Sequence, residues 1–283
     1  MSQLFLRNAY LTIIPKKGKG LQIGGDPLNP YRFKFNVEKY DDSGAGGSAQ
    51  IDVYNLSDST IGALRADGTQ VRFNAGYGKD TPVLAFGNVY EAPLKMSGSD
   101  RIVSLEIIET GYVMDNCVIQ MNMGANCTNQ QAVNFILNQL YALGAVAGKI
   151  IPLNPVTTYQ KGIHYSGSVR TILARLLKQV GYSFSLSNGT INIGPRDSNV
   201  GNVVYVLSPT TGLIDIPTPN IEIGNYSMYN FRSLLNARLN STSIVKIISK
   251  YVKNGFYRVF KASHKGDTFE GDYVTELQAI FVK

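Results

Sequence analysis

The sequence predicts a mainly β protein in which two antiparallel β-barrel domains flank a small α+β unit. Both ends of the chain carry runs of alternating apolar and polar side chains, rich in β-branched and aromatic residues, which is the pattern of half-buried strands. Two helix patterns and one strong hairpin signal are confined to the middle. The strand rhythm of the first third also recurs in the last third, and such a repeat indicates a duplicated architecture.

Composition does not indicate a nucleic-acid or membrane binder. Only 17% of the residues are charged, which suggests that an assembly covers part of the surface. The net charge of +7 is spread thinly, and its densest cluster, Lys16–Lys19, is interpreted as a solvated turn. No apolar run reaches the roughly 18 residues of a membrane helix. We therefore expect no insertion into a membrane.

The two cysteines, Cys117 and Cys127, match no metal-binding or redox spacing. The N-terminus carries no secretory signal, so we expect intracellular synthesis and free thiols. At 283 residues the chain buries about 75% of its unfolded surface without needing a disulfide.

The first predicted domain, residues 1–111, contains strands, one short helix and three further strands. Ser57 or Ser59 precedes a short apolar-spaced run and predicts its N-cap, and Asp67-Gly68 ends that run. The predicted elements are Phe5–Ile13, Arg32–Val37, Gln50–Tyr54, the helix Ile61–Ala66, Val71–Ala75, Val83–Glu91 and Arg101–Glu109.

A glycine-rich segment between Tyr40 and Ser48 joins two of these strands and is predicted to form a long hairpin tip. Its glycines do not indicate a phosphate-binding loop, because no helix follows and no Lys-Ser/Thr pair is present. We expect the tip to become ordered against a neighbouring subunit. The candidate assembly residues are Asp41, Asp42, Gly44, Gly46 and Gly47.

The second predicted domain, residues 112–194, is a small α+β unit of two helices and a hairpin. Thr128 and Gln131 have the spacing of a capping box, and apolar residues follow at helical intervals up to Gly144. The second helix and the hairpin are indicated by the N-cap Ser168, the stripe Val169–Val180, the C-terminal Gly181, and the Asn188-Gly189 turn between Tyr182–Ser187 and Thr190–Ile193.

The third predicted domain, residues 195–283, returns to strands. Val103–Ile108 matches Val274–Ala279 in rhythm at an offset of 171 residues (274 − 103), and two other segments follow within two residues of that offset. Residue identity is low, so the match lies in strand rhythm and loop length. The predicted strands are Val203–Leu207, Ile221–Ile223, Ile244–Ser249, Phe256–Lys261 and Tyr273–Phe281.

No group of residues predicts a catalytic, cofactor-binding or metal-binding site, and we expect the protein not to be an enzyme. His264 could join Asp267 and Asp272 in a triad, but no serine occupies a nucleophile elbow. Lys265–Asp267 is instead predicted to be a polar turn between strands. His164 is predicted to lie in a loop, and two isolated histidines do not make a metal cluster.

Two ordered sets of residues carry a resemblance to a known family. The first set is Ile51–Ser57, Thr60, Val71–Tyr77 and Phe86–Val89. The second is Thr211–Pro217 followed by Leu234–Asn236, and it departs from the family pattern at Asp215, where a glycine is expected. Together they resemble the baseplate hub proteins of tailed bacteriophages, especially the late-control-type hubs of contractile tails. The likeness covers nearly the whole chain in order, including the inserted helical unit.

The resemblance implies a structural role. Such hubs are homotrimers in which each chain contributes two tail-tube-like β-barrels, so three chains present six. A hexameric tail tube docks on one side and a trimeric spike on the other, around the channel for DNA ejection. The implied partners are further copies of the chain, the tail tube protein, the spike protein and other baseplate proteins, with the tape-measure protein as a further candidate. The implied location is the virion tail baseplate, after synthesis in the host bacterial cytoplasm, and DNA would only pass through.

Two other functions stay open. The chain could be a cell-wall-degrading enzyme carried on a phage tail, acting through an acid such as Asp267 or Asp272. It could also be a single-barrel tail tube or distal tail protein, which would form a hexamer and would make the 171-residue offset accidental.

Overall fold

The computed structural model describes residues 6–26, 30–40, 47–108, 117–143, 145–187, 189–195, 203–223 and 226–282. Within these ranges the chain is mainly β, with antiparallel sheets and three α-helices, as the sequence predicts. The helices are α1 (Asp58–Arg65), α2 (Asn129–Ala142) and α3 (Val169–Lys178). No helix of the described residues is long and apolar enough to cross a membrane.

The strands fall into three groups along the chain. The first group is β1 (Arg7–Ile14), β2 (Leu21–Gly24), β3 (Phe33–Tyr40), β4 (Ser48–Tyr54), β5 (Gln70–Tyr77), β6 (Val83–Glu91), β7 (Leu94–Ser97) and β8 (Asp100–Ile108). The second is β9 (Val118–Met123), β10 (Cys127–Thr128), β11 (Val146–Ile150), β12 (Thr158–Tyr159), β13 (Ile163–Ser168), β14 (Tyr182–Ser187) and β15 (Thr190–Pro195). The third is β16 (Val204–Leu207), β17 (Thr218–Ile223), β18 (Tyr226–Leu234), β19 (Ile244–Ile247), β20 (Gly255–Asp267) and β21 (Tyr273–Val282).

The first and third groups form one sheet of 14 strands. Its main path runs β17-β18-β21-β20-β3-β4-β8-β6-β5-β1-β2, with β19 and β16 extending from β20 and with β7 on β8. Adjacent strands are antiparallel, apart from the parallel pair β16 and β19. The middle group is separate: β11, β15 and β14 form a three-stranded sheet, and β9 pairs with β13 and β10 with β12.

One strand order occurs twice in the large sheet. Six of the eight N-terminal strands, without β2 and β7, lie in the order β1-β5-β6-β8-β4-β3, and the six C-terminal strands lie in the order β16-β19-β20-β21-β18-β17. Numbered along the chain within each set, both orders are first, fourth, fifth, sixth, third and second. The sets differ at one end, because β1 and β5 are antiparallel whereas β16 and β19 are parallel.

The two strand sets also share an irregularity of register. Between β6 and β8 the pairing steps by one residue between Val89 and Glu91. Between β20 and β21 it steps by one residue between Val259 and Lys261. An extra residue of this kind bends a strand and increases its twist. Glu91 and Lys261 therefore occupy corresponding positions, immediately after the step.

The helix ends agree closely with the capping signals in the sequence. The Ser57 hydroxyl accepts the Thr60 amide at 3.3 Å and caps α1. Thr128 and Gln131 form both hydrogen bonds of the capping box at the start of α2. Ser168 stands at the N-cap of α3 as predicted, but its side chain does not cap the first turn. After α3 the chain reverses at Gly181, whose φ of 73° is the left-handed conformation that favours glycine. Gly144 and Asn188 lie outside the described residues.

Buried apolar side chains form three clusters. One is built from residues 9–107 and takes in Leu235, Ala237 and Tyr273 from the C-terminal part of the chain. The second joins α2 and α3 to the small sheets of residues 119–193. The third lies within residues 207–279. The apolar stripes of α2 and α3 thus pack on small sheets, as their 3.6-residue spacing predicts.

Two local predictions were wrong, and several strands were not predicted. Lys265–Asp267 is not a turn but the end of β20, and the turn follows it. His164 lies in β13 rather than in a loop. The long strand β18, which pairs with both β17 and β21, was not predicted.

Candidate functional site

The two strand sets meet at a seam of strand pairing inside the chain. The C-terminal half of β20 pairs with β3, from Lys261 opposite Tyr40 to Asp267 opposite Lys34. The N-terminal half of the same strand pairs with β19, from Gly255 opposite Ile247 to Arg258 opposite Ile244. Since β20 hydrogen-bonds on both sides, the sheet runs through the seam without a break.

One face of this continuous sheet is polar on both sides of the seam. Because Cα partners in adjacent strands point to the same face and side chains alternate along each strand, the register identifies its members. They include Asn230 and Arg232 in β18, Glu276 and Gln278 in β21, Lys261, Ser263 and Lys265 in β20, Lys34, Asn36 and Glu38 in β3, Gln50 and Asp52 in β4, and Ser104 and Glu106 in β8. We call this surface the polar face.

Ion pairs cross the polar face. Lys265 Nζ lies 2.8 Å from a Glu276 oxygen, and Arg232 lies 2.9 Å from an Asp272 oxygen. Lys261 Nζ lies 3.2 Å from Glu38. Pairs this open to solvent contribute about 0–1 kcal/mol each, so their main effect is to balance charge on the surface.

Glu38 and Lys261 are polar-face groups at the seam with shifted pKa values. Partial burial opposes the ionisation of Glu38, but hydrogen bonds from Tyr40 and Lys261 outweigh that cost and hold the pKa of Glu38 below its ordinary value. The charged form of Lys261 is favoured in the same way: burial lowers its pKa, but its bonds to Tyr40 and Glu38 raise the pKa more. Both groups are therefore charged at neutral pH, and they connect β20 to β3 across the seam.

Two depressions on the polar face correspond to each other. One, of about 390 Å³, lies over the C-terminal strand set and is completed by Glu38 from β3. The other, of about 330 Å³, lies over the N-terminal strand set. Their lining residues match position by position through the strand registers: Lys261 with Glu91, Lys265 with Lys95, Gln278 with Glu106, Asn230 with Gln50, and Thr218 with Asn36.

Behind the polar face, aromatic rings close the seam. Tyr273 packs edge-on against Phe35 and Tyr77, with ring centroids 5.6 and 5.3 Å apart. Its hydroxyl accepts the Gly76 amide at 3.2 Å and lies 3.0 Å from the Asn8 carbonyl. Burial raises the pKa of Tyr273, so the phenol stays protonated and can donate. The contact joins the C-terminal strand β21 to the core of the N-terminal strands.

Arginines hold the outer ends of the seam. Arg32 binds the Asp267 carboxylate at 2.7 Å, and burial of Asp267 is outweighed by this and further bonds, which lower its pKa. Arg7 donates to the carbonyls of Asp267 and Gly271, at 2.8 and 2.7 Å. Arg238 pairs with Asp80 beside a cleft of about 590 Å³ between the strand sets.

The residues considered for catalysis are engaged in structural contacts. His264 is fully buried, and its ring nitrogens lie within 3.0 Å of Thr275 Oγ1 and the Leu239 carbonyl. Asp267 pairs with Arg32, and Asp272 pairs with Arg232. Within the described ranges, no group of three or more His, Cys, Asp or Glu side chains could hold a metal ion. Cys117 and Cys127 are free thiols.

Of the candidate assembly residues, Asp41, Asp42, Gly44 and Gly46 lie outside the described residues. Gly47 is half-buried immediately before β4. The strands on either side of this tip, β3 and β4, pair from Phe33 opposite Val53 to Glu38 opposite Ser48. Asp215, where the family pattern expects glycine, lies 3.2 Å from Arg232 at the border of the polar face.

Comparison with solved structures identifies the fold. A tail protein from Neisseria meningitidis MC58 matches with a TM-score of 0.64 and 11% identity over 96% of each chain. The 43 kDa tail protein of prophage MuSo2 from Shewanella oneidensis matches with a TM-score of 0.64 and 12% identity, also over 96% of each chain. The chain has a phage-tail-type fold.

A third similar structure comes from a secretion machine. An E. coli component of the type VI secretion system, described as similar in structure to the T4 bacteriophage tail proteins gp27 and gp5, has a TM-score of 0.64 at 11% identity, covering 90% of this chain and 74% of its own. No protein-family model and no curated protein sequence matches the chain.

Sequence reasoning did not identify the residues that form the polar face. Its residues come from six strands spread over most of the chain, and none forms a local motif. The available signal was the polar half of each alternating strand, such as Lys34, Asn36 and Glu38 in β3. That signal shows which residues share a face within a strand, but only the register joins the strands into one surface.

Proposed function

We propose that the chain is the structural baseplate hub of a phage tail, a homotrimer that adapts a hexameric tail tube to a trimeric spike. The observation that carries the proposal is the strand order that occurs twice in one sheet. Three chains with two equivalent strand sets each would offer six similar docking surfaces to the tube and three to the spike. In this proposal residues 1–111 and 195–283 are tube-like β-barrel domains, and residues 112–194 are the inserted α+β domain.

The polar face is proposed to line the channel through which DNA is ejected. Charges of both signs alternate along it and pair with one another, as with Lys265 and Glu276 or Lys261 and Glu38. A protein that holds DNA tightly needs many uncompensated lysines and arginines facing the phosphates. A surface with balanced charge lets the duplex pass without being held. The proposed role is therefore structural, without catalysis.

The proposed partners follow from this place in the particle. They are two further copies of the chain, the tail tube protein, the spike protein and other baseplate proteins, and the location is the virion tail. The glycine-rich tip, with Asp41, Asp42, Gly44, Gly46 and Gly47, is proposed to contact one of these neighbours. The fold shared with phage tail proteins and with a type VI secretion component supports this assignment.

The oligomeric state tests the proposal. Native mass spectrometry is expected to find a species of 93 kDa, three times the 31.0 kDa of one chain. Electron microscopy of the same sample is expected to show a ring with six similar lobes around an opening. A hexamer would support the single-barrel tail tube or distal tail alternative instead. A chain that stays monomeric at every concentration and in assembled particles would overturn the hub assignment.

A further inference from the structure

The seam inside the chain has two strand edges with counterparts elsewhere in the sheet. At the seam, Lys261–Asp267 of β20 pairs with β3. The shared register step makes Glu91–Ser97, which includes β7, the counterpart of Lys261–Asp267. The shared strand order makes β17 the counterpart of β3. If a C-terminal and an N-terminal strand set always pair as they do at the seam, Glu91–Ser97 should form a strand pair with β17.

Both counterpart edges lack a strand neighbour among the described strands. β7 pairs with β8 alone, and β17 pairs with β18 alone. An open strand edge presents backbone donors and acceptors that another chain can pair with. The two edges stand at opposite ends of a row of eight strands, β17-β18-β21-β20-β3-β4-β8-β7. Measured along the sheet, seven strand spacings of about 4.8 Å separate the two edges, and they do not pair with each other within the chain.

Side chains of the open edge, β7, are exposed where their counterparts at the seam are buried. Leu94 and Met96 of β7 are 38% and 66% exposed. Their counterparts at the seam are His264, which is 0% exposed, and Gly266, which is buried. Positions that the seam buries are therefore open on β7 and carry apolar side chains. Such side chains gain from being covered.

We propose that Glu91–Ser97 of one copy pairs antiparallel with β17 of a second copy of this chain, repeating between subunits the seam found within each subunit. The inference rests on the proposed hub function and deepens it by naming the strand edges through which copies join. The contact is head-to-tail, because it uses two different surfaces of each chain. A head-to-tail contact closes into a ring when its rotation permits.

The register of this contact follows from the seam. Within one chain Lys265 lies opposite Asn36. Lys95 is the counterpart of Lys265, and Thr218 is the counterpart of Asn36. Lys95 should therefore lie opposite Thr218 of the partner subunit. The second copy would then complete the 330 Å³ depression with β17, as β3 completes the 390 Å³ depression within the chain.

A proline on β17 is compatible with this pairing. Pro219 is the counterpart of Val37 in β3. Phe33 lies four residues before Val37, so the backbone groups of both residues point to the same side of the strand. Phe33 directs its amide and carbonyl toward Thr268, in the turn after β20. Pro219 therefore turns its missing donor toward the open edge, where it weakens the ladder by one hydrogen bond. Its carbonyl remains able to accept from the amide of Leu94.

Cysteine cross-linking tests the register. In a background with Cys117→Ser and Cys127→Ser, the double variant Lys95→Cys/Thr218→Cys is expected to form disulfides between chains under mild oxidation. Directly opposed residues of an antiparallel pair have Cα atoms about 4.5–5.5 Å apart, within the range that a disulfide spans. Non-reducing gels should show covalent dimer and trimer in at least tenfold excess over either single variant. Both positions are exposed, so folding should be unaffected.

Two matched variants define the result. Asn36→Cys/Lys265→Cys, the equivalent pair at the seam, should form a disulfide within one chain and run as a monomer. Ser97→Cys/Thr218→Cys is out of register by two residues and should give far less linked product. If native mass spectrometry finds the 93 kDa trimer but the in-register pair links no better than the out-of-register pair, the strand pairing is wrong while the hub function stands. If the chain is monomeric and unlinked under all conditions, both fail.

Discussion

His264 makes the stability of the seam dependent on pH, because hydrogen bonds fix its neutral form. Its Nε2 lies 3.0 Å from the Leu239 carbonyl, which can only accept, so Nε2 carries the proton. Its Nδ1 lies 2.9 Å from Thr275 Oγ1 and accepts from that hydroxyl. The same hydroxyl already accepts the Asn236 amide at 2.9 Å. A second proton on the ring would remove the hydrogen bond that Nδ1 accepts from this hydroxyl and would place a charge in a fully buried site.

The magnitude follows from the pKa of His264. Burial, with a smaller effect from the Lys39 charge, lowers that pKa from 6.5 to about 3. The unfolded chain takes up the proton near pH 6.5, so between pH 6.5 and pH 3 it binds more protons than the folded chain. The contribution is fully present above pH 6.5 and is lost as the pH falls. At pH 4.5, two units below the unfolded value, the loss is about 2.7 kcal/mol.

We expect this loss in the wild-type protein and not in His264→Gln, whose side chain does not titrate. The free energy of unfolding is measured by urea titration at pH 7.5 and pH 4.5, followed by the fluorescence of the 17 tyrosines, since the chain has no tryptophan. Carboxylates titrate equally in both proteins and cancel in the comparison. His164→Gln, which removes an exposed histidine, should follow the wild type. Equal pH dependence in the wild type and His264→Gln would refute the reasoning.

Two further predictions concern other contacts of the seam. Tyr273→Phe leaves the buried Gly76 amide without its acceptor, so we expect a loss of about 1–3 kcal/mol in calorimetry, against no loss for the exposed Tyr251→Phe. In a double-mutant cycle with Asp80→Asn and Arg238→Gln, we expect a coupling below about 1 kcal/mol, because the ion pair is exposed to solvent. A coupling of several kcal/mol would show that the cleft beside it is closed to water.

Local signals were enough to predict many of the strands and the caps of α1 and α2. The capping box of Thr128 and Gln131 depends on four consecutive residues, and the structure forms both of its hydrogen bonds. The mainly β class likewise follows from alternation within single strands. Both depend only on residues close in sequence, which is why one chain without relatives is sufficient to predict them.

The end of β20 shows why the seam could not be predicted. Lys265, Gly266 and Asp267 have the composition of a turn, yet they lie in a strand. A Cβ atom on Gly266 would lie 2.5 Å from the Phe35 ring and 2.6 Å from the Tyr273 ring, so glycine is required by packing and not by a turn. One of these two partners, Phe35, lies in β3, far from Gly266 in sequence. The residues of the polar face were not identified for the same reason, since their arrangement depends on the register between strands.

The double pairing of β20 has a mechanical consequence. One 13-residue strand is hydrogen-bonded to β19 and β3 on one side and to β21 on the other. Tilting one half of the molecule against the other would require the seven residue pairs between β20 and β3 to separate together. The seam therefore holds the two strand sets of one chain firmly together, with β20 bent at the irregularity beside Phe260. In the proposed ring, widening or twisting under load would take place at the joints between copies of the chain.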